Sequence, residues 1–261
     1  MRKLAVVGKV FLVGIGPGSP DNMTPRAVST LHNVPVIVGH RDCIALIADS
    51  IAGKEIIAED LTPLERAEIA VAQALAGKDV AIVTTGDPGI YAIASTFFSY
   101  LKENEIRVHV EVIPGVTAVH MAAALLGSPL GHDFAVISLA DMATSWDEIK
   151  RRLQSAASAG FVIALYKPIG KAGSRRLKEA IAILMNYGKT STPVGIVTNT
   201  NGLSGTARQA GEAEKVRITT LGAVLRYPIS IQTILIIGNS VTYVFDGRMI
   251  TPREYKRGVG Y

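Results

Sequence analysis

Runs of apolar residues that end in a glycine- or proline-rich turn, each followed by a helical pattern, constrain this chain more than any other feature. Residues 10–15 read as an apolar strand and run into Gly14-Ile15-Gly16-Pro17-Gly18. Residues 79–84 do the same before Gly86-Asp87-Pro88-Gly89-Ile90-Tyr91, and residues 107–113 before Pro114-Gly115-Val116-Thr117-Ala118. Strand, turn and helix repeated in this order predict an α/β fold, a mostly parallel sheet with helices on both faces. Open sheets of that kind bind small molecules at the turns leaving the C-terminal ends of their strands. Glycine allows positive φ and close backbone approach, Pro88 suits a first helical position, and Asp87 offers a carboxylate where the helix starts. That carboxylate serves either a ligand or the helix as its N-cap.

The remaining pattern fills in the alternation. Thr24-Pro25 reads as an N-cap and N1 proline opening a helix to residue 31. Strands are expected at 34–38 and 55–58, and helices at 41–51, 63–76, 88–103 and 115–125. Turn residues then crowd into Gly127-Ser128-Pro129-Leu130-Gly131-His132, which sets an expected boundary between domains 1–127 and 128–261. The second half alternates again, with strands at 134–139, 161–166 and 193–198 and helices at 146–159 and 173–187. A loop with hairpin strands is expected over 201–220, and an antiparallel pair at 229–238 and 241–245.

Charge changes sign at the same boundary. Up to Gly127 there are 10 Lys and Arg against 13 Asp and Glu; from Ser128 there are 17 against 9. A basic second half fits an anionic ligand or a solvated basic face, with Arg151-Arg152 and the Lys167 to Lys178 stretch as candidate grips. Its basic residues are not interleaved with aromatics, so no nucleic-acid partner is expected. A single cysteine, Cys43, excludes an internal disulfide and fits a reducing, cytoplasmic setting. The five histidines show no ligand-type pairing, so no metal site is expected. Lys9 breaks the apolar start that would mimic a signal peptide, and no apolar run is long enough for a membrane span.

Gly14-Ile15-Gly16-Pro17-Gly18 is a poor dinucleotide fingerprint. Ser19 stands where the third glycine would fall, and Pro17 removes an N–H that phosphate cradling would use. A glycine loop framing a cleft is the better reading. His40, His120, His132 and Asp141 are candidate acid–base groups, though no spacing ties them together.

In combination, Val13-Gly14-Ile15-Gly16-Pro17-Gly18-Ser19, Thr85-Gly86-Asp87-Pro88-Gly89-Ile90-Tyr91 and Val112-Ile113-Pro114-Gly115-Val116-Thr117-Ala118 resemble the tetrapyrrole (corrin/porphyrin) methyltransferases. In the second half, Ser128-Pro129-Leu130-Gly131-His132, Ala164-Leu165-Tyr166-Lys167-Pro168, Thr192-Pro193-Val194-Gly195 and Met249-Ile250-Thr251-Pro252-Arg253 resemble one branch of that family. That branch methylates C17 of precorrin-3B or cobalt-factor III in cobalamin synthesis. The resemblance implies a two-domain class III methyltransferase fold, with mixed sheets flanked by helices and an interdomain cleft. It implies S-adenosyl-L-methionine as methyl donor, S-adenosyl-L-homocysteine as product, and a homodimer. The substrate implied is a polycarboxylate tetrapyrrole, with or without cobalt, which would give the basic half a purpose.

Carried over by position, Gly86, Asp87, Pro88, Thr117 and Ala118 line the cofactor pocket, while Tyr166 and Gly195 close over the adenosine. Gly16, Pro17, Gly18 and Arg41 are expected toward the tetrapyrrole, Pro17 also toward the cofactor. Asp87 is expected to anchor the cofactor, and His40, Asp42 or His120 to move protons during ring contraction. The chain departs from the branch at Lys167, where asparagine is usual, at Ala92-Ile93, and at Gly39-His40-Arg41-Asp42-Cys43, where aromatics are usual. Alternatives of the same fold are a methyltransferase for another precorrin position or for ribosomal RNA. Outside that class stand a nicotinamide-dependent oxidoreductase and a non-catalytic tetrapyrrole carrier.

Overall fold

The computed structural model describes residues 7–17, 20–139, 143–170, 173–198 and 215–253. Among these residues the chain forms two compact units, one through Ala118 and one from Val119 onward.

The first unit contains β1 (Lys9–Gly14), α1 (Pro25–Asn33), β2 (Val36–Gly39), α2 (Arg41–Leu46), β3 (Glu55–Ile57), α3 (Pro63–Leu75), β4 (Val80–Thr84), α4 (Ile93–Glu103) and β5 (His109–Ile113). Its sheet is parallel throughout, in the order β3-β2-β4-β1-β5. The central strands are Val- and Ile-rich and buried on both faces, as a sheet covered by helices on each side requires. Alternation along the strands sorts their side chains. Val10, Leu12, Val36, Val38, Val80 and Ile82 pack with α3 and α4. Val13, Ile15, Ile37, Ala81, Val83 and Ile113 pack with α1 and α2 on the opposite face. The expected doubly covered parallel sheet is therefore present.

Local chemistry starts the helices. Thr24 accepts from the Ala27 N–H with Pro25 in the first turn, and Thr62 forms a capping box with Glu65 ahead of Pro63. Two helices are shorter than the sequence pattern suggests. The 88–103 helix begins at Ile93, because Tyr91 adopts φ +51 and Ala92 is extended, which the helical ladder cannot pass through. The 41–51 helix ends at Leu46 and continues as a 3-10 turn over Ala48–Ile51.

The second unit begins within α5 (Ala118–Leu126), so the expected boundary after Gly127 falls at the end of that helix. It continues through β6 (Gly127–Ser128), β7 (Phe134–Ser138), α6 (Trp146–Ser158), β8 (Val162–Tyr166), α7 (Arg175–Met185), β9 (Pro193–Thr198), β10 (Lys215–Thr220), β11 (Thr233–Ile237), β12 (Tyr243–Phe245) and β13 (Arg248–Ile250). Its main sheet is mixed, in the order β10-β9-β11-β8-β7, with only β7 and β8 parallel. One face buries Ile163, Leu165, Val194, Ile196, Leu235 and Ile237 against α6 and α7.

The antiparallel pair expected between 229–238 and 241–245 does not form. β11 inserts between β9 and β8, while β12 pairs with β13 in a separate small sheet with β6. β11 is buried along its whole length, so it takes the central slot, whereas β12 is exposed throughout. Of the expected hairpin, 215–220 is β10, paired with β9, and 201–214 lies outside the described residues.

Candidate active site

β1 and β4 are neighbours in the first sheet, yet α1 and α4, which follow them, cover opposite faces. Chains leaving adjacent strands toward opposite faces open a crevice at the strands' C-terminal ends. The turns at this point are Gly14 to Pro17 and Thr85 to Pro88, with Pro114 to Thr117 beyond β1 on the far side.

Backbone approaches backbone there. A Cβ on Gly115 would stand 2.1 Å from the Gly86 carbonyl oxygen, and one on Gly14 would stand 2.6 Å from the same oxygen. Glycine is the residue these positions accept. Gly16 and Gly86 exchange backbone hydrogen bonds of 2.8 and 3.3 Å, tying the first two turns together. Gly86 adopts φ +70, and among the described residues, its own chain neighbours aside, no atom lies within 4 Å of where its side chain would begin, so the turn borders open space there. Pro17 and Pro88 are buried on either side of the Gly16–Gly86 bridge, and Ile90 and Tyr91 are exposed just beyond. Gly18 lies outside the described residues.

Asp87 is the side chain that fixes this arrangement. Its Oδ1 accepts from the Gly89 N–H at 2.8 Å and its Oδ2 from the Gly115 N–H at 3.1 Å. The helix N-cap reading does not hold, since Ala92 occupies that position of α4 without a side-chain bond. Each carboxylate oxygen takes a backbone donor, so Asp87 clamps one βα turn to the next.

The other first-unit candidates lie around the ends of β2 and β3. His40 caps α2, its Nδ1 accepting from the Asp42 N–H at 3.3 Å with the Asp42 carboxylate at 3.5 Å. Arg41 is exposed and pairs with Asp60 at 3.1 Å. Cys43 is buried beside Thr85; burial pushes its thiol above the usual range, partly offset by hydrogen bonds from Thr85. Thr117 and Ala118 are buried where the third turn meets α5.

In the second unit, Tyr166 ends β8 and is buried, its hydroxyl accepting from the Val119 N–H at 3.0 Å near the start of α5. Gly195 lies on the sheet face away from α6 and α7. A Cβ there would stand 2.3 Å from Leu126 Cδ1, so this glycine admits the end of α5. The space on that side of its Cα is therefore filled by leucine. His120 is exposed on α5. Arg151 and Arg152, offered by the charge pattern as an anion grip, are both bound by Glu148 on their own helix, at 2.7 and 3.0 Å. Arg176 stacks on Trp146, 5.2 Å from the ring centre, and donates to the Leu139 carbonyl.

Asp141 is outside the described residues, and among those described no three His, Cys, Asp or Glu side chains converge on a metal position. No helix is long and apolar enough to cross a membrane, again among the described residues. Sequence reading missed Arg66, a half-buried arginine in the first turn of α3. A signal existed, since a cation there opposes the helix dipole.

Comparison with known proteins adds to this geometry. The family described as Tetrapyrrole (Corrin/Porphyrin) Methylases matches residues 9–224. A "Probable cobalt-factor III C(17)-methyltransferase" of Methanothermobacter thermautotrophicus is 42% identical over 94% of this chain and 67% of its own length. The protein of the same description from Salmonella typhimurium is 37% identical over 94% of this chain and 98% of its own. A "Cobalt-factor III methyltransferase" of Priestia megaterium is 38% identical, and this chain spans only 46% of its length. The solved structure of the methyltransferase CobJ superposes with a TM-score of 0.82 at 28% identity, covering 94% of this chain and 100% of that one.

Proposed function

This chain belongs to the tetrapyrrole (corrin/porphyrin) methylases, and from that premise we propose that it methylates a corrinoid precursor at C17, using S-adenosyl-L-methionine, in cobalamin biosynthesis. The substrate is cobalt-factor III or precorrin-3B, and the product macrocycle is contracted. The observation that carries this reading is similarity to C17-methyltransferases along nearly the whole chain, including a relative matched over 98% of its own length.

The first-unit crevice fits an S-adenosyl group. Open space borders Gly86, and the surrounding glycine turns let backbone groups approach a ligand closely. When bound, the cofactor supplies a methyl group already activated on a sulfonium centre. What remains for the chain is positioning and exclusion of water. Gly86, Pro88, Thr117 and Ala118 shape the pocket, with Gly16, Pro17 and Arg41 toward the tetrapyrrole. Asp87 keeps the turns in register, and Tyr166 and Gly195 act by holding α5 in place. For the proton transfers of ring contraction our candidates are His40 and His120. The +8 charge from Ser128 onward suits a substrate bearing many carboxylates. A homodimer in the cytoplasm completes the proposal, the single cysteine being compatible with a reducing compartment.

The test is anaerobic incubation with S-adenosyl-L-methionine and cobalt-factor III, alongside precorrin-3B, followed by mass spectrometry and visible spectroscopy. A product heavier by one methyl group with an altered spectrum supports the proposal. Cofactor binding with neither pigment changed would leave the family in place and remove the substrate.

A further inference from the structure

We propose that Arg66 is a substrate-binding residue that receives a carboxylate at the rim of the first-unit crevice. The inference rests on the tetrapyrrole reading above and adds a residue to it.

Arg66 is half-buried in the first turn of α3, three residues after Pro63. Among the described residues its one side-chain hydrogen bond runs from Nε to the Thr62 carbonyl at 3.4 Å, a long contact that leaves the outer guanidinium nitrogens uncommitted there. Among the described residues no carboxylate stands within ion-pair distance of it. The other rim arginines differ, Arg26 pairing with Glu111 and Arg41 with Asp60. Two costs therefore fall on one side chain. A partly desolvated cation lacks a counter-charge, and it stands near the positive end of a helix dipole.

Its position explains why such costs are tolerated. α3 follows β3, so its first turn stands at the C-terminal end of the parallel sheet, the end at which the crevice turns lie. The Cys43 thiol, within electrostatic range of Arg66, is hydrogen-bonded to Thr85, directly ahead of Gly86. Burial holds that thiol in its neutral form, so it supplies no negative charge. Burial likewise lowers the Arg66 pKa, the expected mark of a cation short of a partner. A ligand carboxylate provides the missing charge, and the planar guanidinium receives it through two parallel hydrogen bonds. A tetrapyrrole with acetate and propionate arms has carboxylates to offer at its edge. Arg66 then discriminates among substrates by where those arms project.

The experiment compares wild type with Arg66→Met, Arg66→Gln and Arg66→Lys. KM for cobalt-factor III should rise about ten-fold or more in the Met and Gln variants, with kcat and S-adenosyl-L-methionine affinity little changed. Arg66→Lys should recover part of the loss. The thermal midpoint of Arg66→Met should hold or rise, because an unpaired cation has been removed; a merely structural arginine would lower it. In parallel, benzenehexacarboxylate serves as a probe that needs no turnover. It should raise the thermal midpoint of wild type more than that of Arg66→Met. If KM is the same in wild type and Arg66→Met, the proposal is overturned while the C17-methyltransferase reading stands. It is also overturned if Arg66→Met loses thermal stability and Arg66→Lys shows the same KM increase. If wild type does not turn over cobalt-factor III, the functional reading fails and the polycarboxylate probe decides on Arg66. Protection reduced in Arg66→Met then supports the anion subsite, and equal protection overturns it.

Discussion

The Asp87 carboxylate spans two βα turns, its Oδ2 accepting the backbone N–H of Gly115 at 3.1 Å while its Oδ1 holds Gly89 at 2.8 Å. Gly115 in turn has the Gly86 carbonyl where a side chain would begin, so the clamp and the close approach depend on each other. Asp87→Ala should destabilise the protein by about 2 kcal/mol, having removed the charged acceptor of two backbone donors. Affinity for S-adenosyl-L-methionine should fall as well, because the crevice turns lose their register. Urea unfolding and calorimetry measure the two effects. Lost affinity at unchanged stability would assign the carboxylate to the ligand directly.

Tyr166 holds the start of α5 through its hydroxyl, which accepts from the Val119 N–H at 3.0 Å. Tyr166→Phe leaves that buried donor without its acceptor, at a cost of about 1–3 kcal/mol. Amide exchange should show where the loss falls. The Val119 N–H should exchange faster than in wild type, while amides of α3 and α4 stay unchanged.

Lys167 adopts φ +45 immediately after Tyr166, a conformation that asparagine and glycine reach more readily. The related branch usually has asparagine at this position, so the departure from its pattern falls on a strained residue. Lys167→Asn and Lys167→Gly should each stabilise the protein by about 1 kcal/mol. A lower denaturation midpoint in both variants would show that the lysine side chain makes a contact worth more than the strain.

Glu148 is held at about 2, below its ordinary 4.5, by hydrogen bonds from Arg151 and Arg152. The carboxylate is charged more readily in the folded than in the unfolded chain. Its contribution is therefore fully present above the ordinary value, and it is lost as pH falls through about 2. The group is only partly covered and open to solvent, so the effect should be small and shrink with added salt. Wild type should exceed Glu148→Gln in stability at neutral pH and match it near pH 2, with an NMR titration placing the carboxyl midpoint.

Much of this protein was legible in its sequence where the cause is local. Thr24 and Thr62 start helices through bonds to residues a few positions on, and the parallel sheet follows from apolar strands alternating with helical stretches. The glycine turns marked the ends of β1, β4 and β5, and their combination pointed to the tetrapyrrole methylases. Tertiary structure decided what depends on residues far apart in the chain. β11 was paired by its burial with β9 and β8 and not with the nearer β12. Asp87 became a clamp because Gly115, a whole βα unit later, follows β5, which flanks β1 on the side opposite β4. Gly195 makes room for Leu126, and Arg66 comes within electrostatic range of Cys43 with no carboxylate partner among the described residues, although neither neighbour is close in sequence. Periodicity and capping act over a few residues, so the sequence displays them directly. Pairing, close approach and a missing counter-charge exist only once distant segments have packed together.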